Sequence, residues 1–174
     1  MKTLRLILGD QLNHKHSWYN DPEEDIIYFM AEMRQETDYV AHHVQKVVAF
    51  FESMQNFSEW LKERDHEVIY YQLDAKNNKQ TLPENLASLI KEQNIEKFEY
   101  QLPDEFRLDR QLKEFCERID IAFEAYDTEH FLTTREDLTH FYKGKKEMTM
   151  EYFYRDMRKK YGIMMTTEKD PEGG

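Results

Sequence analysis

A single cysteine, Cys116, leaves the chain with no internal disulfide and no cysteine-built metal or iron–sulfur centre. There is no apolar run near the ~18 residues that a membrane-crossing helix needs, and no signal-peptide pattern at the start. A soluble, cytoplasmic protein without a membrane partner is expected. Basic residues are scarce: 24 Lys and Arg against 35 Asp and Glu give a formal net charge of −11. A field of that sign repels phosphates and disfavours a free-standing nucleic-acid binder. Neither GxGxxG nor GxxxxGK[ST] occurs, so a phosphate cradle lacks its usual carrier. HExxH is missing as well, and Ser17, Ser53, Ser58 and Ser88 have no nucleophile-elbow context. No catalytic residue and no metal centre is nominated.

Apolar residues make up 40% of the 174 and aromatics 14%, enough to exclude disorder for most of the length and to fill one sizeable core. Short apolar runs bounded by turn signals read as strands at 3–8, 25–30, 66–73, 97–102 and 121–126. Between 37 and 64, Val40, His43, Val47, Phe50, Phe51, Met54, Phe57 and Leu61 recur at steps of three and four, which is helical periodicity. "TLPE" (81–84) reads as a capping-box start for a helix ending near Gln93. A helix over 105–119 would bury Leu108, Leu112, Phe115 and Ile119, with Cys116 in the same core. Two further short helices are expected at 134–142 and 148–161, and an unstructured tail at 166–174. The alternation implies an α/β fold: an open, mostly parallel, five-stranded sheet with helices on both faces, Rossmann-like. Residues 1–130 form the α/β domain and 131–174 a helical connector.

In such sheets ligands sit beyond the carboxyl ends of the strands, where strand order reverses. The first strand runs straight into Gly9, Asp10 and Gln11. Glycine permits a close backbone approach or a positive φ, and Asp10 can cap a turn. A carboxylate with a carboxamide also suits the N–H and hydroxyl groups of a neutral heterocycle or polyol. The second strand leads into "MAEMRQETDYVAHH" (30–43), which would face that loop with Glu32, Glu36, Asp38, Tyr39 and two histidines. His42 and His43 point ~100° apart on a helix, so they cannot both ligate one ion. One is expected on the packed face and one at the surface. Segment 143–161 carries seven Lys/Arg against three Asp/Glu, a local +4 that leaves −15 elsewhere. It reads either as a solvated amphipathic closing helix or as a connector with an apolar face (Met148, Met150, Phe153, Met157) meant for another domain.

"LILGDQL" (6–12), "ETDYVAHH" (36–43), the block 131–165 and the closing "PEGG" together resemble the prokaryotic photolyase-related proteins, which include FeS-containing bacterial cryptochromes and (6-4) photolyases. The resemblance spans essentially the whole chain. It implies the N-terminal antenna domain of a protein for light-driven DNA repair or photoreception, holding 6,7-dimethyl-8-ribityllumazine. FAD and a 4Fe-4S cluster would belong to a following helical domain, which is also the implied partner, and damaged DNA would be met only through the parent protein. Carried over by position, Gly9, Asp10, Gln11, Glu36, Tyr39 and Phe50 would line the chromophore pocket. Phe50 stands where smaller aliphatic residues are usual, so its ring is expected to crowd the ligand, with small Ala31 as compensation. Lys145, Lys146, Met148, Phe153, Arg155 and Arg158 would face the neighbouring domain. Two other classes remain open on the residues: a stand-alone nucleotide-binding α/β module, and a metal-dependent hydrolase using Asp10 and the histidines.

Overall fold

A computed structural model of the chain describes residues 1–38 and 40–166. The chain divides into two compact units, Met1–His130 and Phe131–Gly174.

The first unit is built on strands β1 (Thr3–Leu6), β2 (Ile26–Ala31), β3 (Glu67–Tyr71), β4 (Lys97–Gln101) and β5 (Ala122–Tyr126). Their order is β3-β2-β1-β4-β5, and every pairing is parallel. The expected sheet is therefore present and wholly parallel. Parallel strands covered on both faces read as unbroken apolar runs. β2, with all six residues buried, is such a run.

Register sets the two cores. Leu4 pairs with Ile27 and Phe98, and Leu6 with Phe29 and Tyr100. These side chains share one face with Leu82, Leu86 and Leu89 of α3 (Leu82–Glu92) and with Leu108, Leu112 and Phe115 of α4 (Phe106–Cys116). Tyr28, Met30 and Ile7 meet Met54, Phe57 and Leu61 of α2 (Val44–Lys62) on the other. Each such buried side chain contributes roughly 1.5–3 kcal/mol of transfer free energy. No α-helix links β1 to β2. A 3₁₀ turn, Ser17–Tyr19, places Trp18 and Tyr19 on the second core instead. Cys116 is buried in the first core, and burial pushes its thiol up to about 11, far from nucleophilic use.

Three local expectations need correction. The helix expected from 37 begins at Val44, after a short α1 (Arg34–Thr37). His43 ends the extended approach, and its Nδ1 accepts from the Gln45 N–H as an N-cap. Neither His43 nor Val40 is packed, and both are exposed. The capping box also sits elsewhere. At Thr81 the hydroxyl bonds the Glu84 carboxylate at 2.6 Å, while the Leu82 N–H donates to Gln35 Oε1, so that helix start has other partners. The reciprocal box forms at α5 (Arg135–Tyr142), between Thr134 and Asp137.

The second unit pairs α5 with α6 (Met150–Tyr161). Phe153 packs edge-on against Phe141, ring centroids 5.2 Å apart, and against Tyr142, whose hydroxyl donates to the Thr149 carbonyl at 2.6 Å. Gly162 ends α6 at φ 65°, a left-handed cap that glycine adopts without steric cost. Past Thr166 the expected tail lies outside the described residues. Among the described residues no helix is long and apolar enough to cross a membrane.

Candidate functional site

β1 leads to β2 on one side and pairs with β4 on the other, so the order reverses at β1. A cavity of about 330 Å³ lies at the carboxyl ends of these strands. Leu6–Asp10 form its floor, Ala31, Met33 and Glu36 come from the β2 exit, and Lys46, Phe50, Phe51 and Met54 form the α2 wall. Leu82, Glu105 and Leu108 close it from α3 and the start of α4. Most of the wall is aliphatic or aromatic, with a few carboxyl groups and one ammonium set into it.

Gly9 is required here by space. Its φ is not positive, but a Cβ at this position would lie 2.4 Å from Cε1 and Cζ of Phe50 and 2.8 Å from Met54 Sδ. The Phe50 ring therefore rests on bare backbone while 38% of the residue remains exposed. Asp10 reaches solvent on one side, yet the surrounding protein is dense enough to raise its carboxyl pKa by desolvation. Its own backbone N–H opposes that shift, while Asp104 and Glu105 reinforce it. Glu36 is raised for the same first reason, with Arg107 as the main opposing influence. Arg107 reaches Glu36 at 3.4 Å and holds Glu105 more closely, at 2.8 Å. Gln35 steadies Glu36 from the side, donating to its Oε1 at 3.1 Å.

Of the residues expected to line a pocket, Gly9, Asp10, Glu36 and Phe50 come together at this cavity. Gln11 does not. Its Oε1 accepts the Leu8 N–H at 3.0 Å and its Nε2 donates to the Gln101 carbonyl at 3.1 Å. The carboxamide is buried and spent on fastening the β1 exit to the end of β4. Tyr39 lies outside the described residues. Lys46, Glu105, Leu108 and Met54 were missed in sequence. The signal for Glu105 was its place just past β4, across the reversal point.

The metal reading finds no support in the geometry. Glu32 accepts from the Tyr70 hydroxyl at 2.7 Å and the Leu73 N–H at 2.9 Å, ending β2 and β3 together. His16 is buried, its Nε2 2.9 Å from the Asp127 carbonyl. Among the described residues no three His, Cys, Asp or Glu side chains gather to hold an ion.

A sequence profile described as deoxyribodipyrimidine photo-lyase-related protein matches residues 5–174. The chain belongs to this family. It is also similar to a (6-4) photolyase of Agrobacterium fabrum, 31% identical over 176 residues, covering 100% of this chain and 34% of that protein. The photolyase-related chain thus spans about a third of the length of the curated relative it matches.

The residues of this photolyase-related chain expected to face another domain have mixed surroundings. Met148 is 76% exposed and Lys146 is exposed. Lys145 lies over the Phe141 ring, 3.3 Å from its centroid. Arg155 pairs with Glu151 at 2.8 Å, and Arg158 donates to the Ile163 and Met164 carbonyls beyond its own helix. Phe153 corrects the expectation: only 8% exposed, it is core of the second unit. Its ring fills the α5–α6 seam and is not available to a neighbour.

Proposed function

We propose that the first unit is the antenna domain of a photolyase-related protein and holds a ribityllumazine-type chromophore in the cavity beside Gly9. The observation that carries this reading is the pairing of a largely apolar cavity with two carboxyls, Asp10 and Glu36, whose pKa values burial raises. A volume of about 330 Å³ falls at the low end of the ~300–1,000 Å³ common for small-molecule sites. Carboxyl oxygens there accept from ring N–H and hydroxyl groups, and a protonated one donates to a ring carbonyl. Leu6, Leu8, Met33 and Leu82 exclude water from a flat heterocycle, and the Phe50 ring narrows the space left for it. When bound, the lumazine supplies light absorption for the whole protein.

The same geometry argues against a nucleotide. No α-helix follows β1, so its carboxyl end lacks the helix N-terminus that would carry a phosphate. Asp10, Glu36 and Glu105 would repel one. Light-driven action on damaged DNA, with FAD and a 4Fe-4S cluster in a helical partner domain, belongs to this proposal as a property of the longer protein. Cys116, the one cysteine here, is buried and fits no cluster.

Fluorescence titration with 6,7-dimethyl-8-ribityllumazine tests the reading. Asp10→Ala and Glu36→Ala should each remove a buried hydrogen bond, about 1–3 kcal/mol, and weaken binding ~10–100-fold. Phe50→Ile should bind at least as tightly as the native chain, because it relieves crowding at the wall. Failure of both the native chain and Phe50→Ile to bind would overturn the antenna reading.

A further inference from the structure

The two edges of the sheet are finished differently. At one edge β3 has only Glu67 exposed and packs against α2. At the other, β5 leaves Ala122, Phe123, Glu124 and Ala125 exposed, Phe123 by 50%. Exposed edges are ordinarily blunted by lysine, proline or a bulge, because their free backbone groups invite another strand. Residues 121–126, "IAFEAY", contain neither lysine nor proline, and their register with β4 is unbroken. Their one charge, Glu124, is matched by Lys97 at 2.6 Å.

Backbone direction decides what this edge accepts. The Tyr126 carbonyl accepts the Leu102 N–H, so Tyr126 turns its main chain toward β4. Alternation turns Glu124 and Ala122 the same way and aims the N–H and C=O of Ile121, Phe123 and Ala125 outward. We infer that β5 pairs antiparallel with β5 of a second copy of this chain, about a two-fold axis at Phe123, joining two sheets into one. This inference is independent of the chromophore proposal. In that register Phe123 meets its own counterpart, Ile121 meets Ala125, and each of these outward pairs exchanges two main-chain bonds. The three residues share the sheet face of Phe98 and Tyr100, so apolar meets apolar along it. Charge excludes the neighbouring registers. Centring the axis on Glu124 sets two Glu124 side chains directly opposite, and centring it on Ala122 opposes Asp120 and Glu124. Like charges placed so are destabilising. Centring it on Ala125 sets the Phe123 ring against Asp127. Only the Phe123 register is self-complementary, which is the requirement of a two-fold contact.

One strand edge buries less than the ~1,200 Å² of a standard interface, so the dimer should be weak, with Kd ~10–100 μM. Sedimentation equilibrium of the 174-residue chain from ~5 to ~500 μM should therefore show a monomer–dimer equilibrium. Ala125→Pro removes one outward N–H and leaves the β4 ladder whole, a place where a strand tolerates proline. It should weaken the dimer at least ~10-fold, as should Phe123→Lys. A second measurement fixes the register without either variant. Ala122 faces Glu124 of the other copy in a non-hydrogen-bonded pair, with Cα atoms ~4.5 Å apart, within disulfide reach. Ala122→Cys chains mixed with Glu124→Cys chains under oxidised glutathione should form a cross-link that neither forms alone. Cys116 is buried and does not compete. A monomer across the whole range would overturn the inference, because β5 would then await a different partner. A dimer that Ala125→Pro leaves intact would overturn it too, as would failure of the mixed chains to cross-link.

Discussion

Two sets of carboxyl groups, one within the sheet and one beyond its carboxyl edge, are handled in opposite ways. On the face of β1, β4 and β5, Glu99 is 5% exposed and bonded by Arg5 at 2.7 Å and by Lys97 at 2.7 Å. Burial alone would raise its pKa, but the bonds from Lys97 and Arg5 outweigh that and lower it. At the carboxyl edge, Asp10 and Glu36 are raised by burial, and the one nearby guanidinium, Arg107, sits closer to Glu105 than to Glu36. A charge that only has to hold a fold is best matched. A charge meant to meet a ligand keeps its hydrogen-bonding capacity open at some cost in stability. The comparison separates a charge-matched carboxylate inside a parallel sheet from two carboxyls left at the mouth of a cavity, the ones that the antenna proposal assigns to a ligand.

The sharpest way to break the comparison is to remove the matched charge. Glu99→Gln keeps the shape and leaves Arg5 and Lys97, at 11% and 19% side-chain exposure, with the more exposed Glu23 and Glu124 as their carboxylate partners, Arg5 also keeping the Tyr28 hydroxyl at 3.1 Å. Breaking a buried ion pair in this way costs about 3 kcal/mol or more. A chain of this size should then melt about 6–12 °C lower at pH 7. Because the folded pKa of Glu99 is lowered, its contribution is present above the ordinary carboxylate range and lost as pH falls through the folded value. The gap between native and variant melting temperatures should therefore close in acid. A loss below about 2 °C at pH 7 would mean that the ladder is ornamental.

Shape, not charge, organises the cavity end, and Gly9→Ala probes it. The new methyl would collide with the Phe50 ring and with Met54 Sδ, both parts of side chains that can move, so the cost should be about 1–2 kcal/mol. Phe50→Ala in the same chain should recover most of that loss, a coupling of about 1 kcal/mol in a double-mutant cycle. Independent, additive effects in urea melts would show that ring and glycine do not share the space. How much of this was legible follows the same division. Apolar runs announced the five strands, most plainly β2, where burial of all six residues demands one, although β5 has four of its five residues exposed, and the reversal point placed Gly9 and Asp10 at the cavity. Gln11 was misplaced because a carboxamide next to a site residue carries no sign of which way it turns. His43 and Val40 kept helical spacing without lying in the helix, because His43 is its N-cap and Val40 precedes it. Phe153 read as an outer face because nothing in the spacing revealed Phe141 and Tyr142 waiting opposite it.

The smallest effect has the opposite sign to the first. A carboxyl whose folded pKa lies above its unfolded value contributes stability that is complete below the unfolded pKa and is lost as pH rises through the folded one. Asp10 is such a group, raised chiefly by desolvation. Above the folded value the ionised carboxylate carries an electrostatic penalty in the folded chain, which an asparagine would not. Asp10→Asn should therefore raise the melting temperature at pH 7, where Glu99→Gln lowers it. The gain should be small, about 1–2 °C, because Asp10 reaches solvent and screening discounts the penalty. It should fade as pH falls through the raised folded value toward the ordinary carboxylate range. Asparagine can still accept through its oxygen, so the affinity for a ribityllumazine should fall less than with Asp10→Ala. A lower melting temperature for Asp10→Asn at pH 7 would place Asp10 with Glu99 among the structural carboxylates and leave Glu36 alone to carry the binding role.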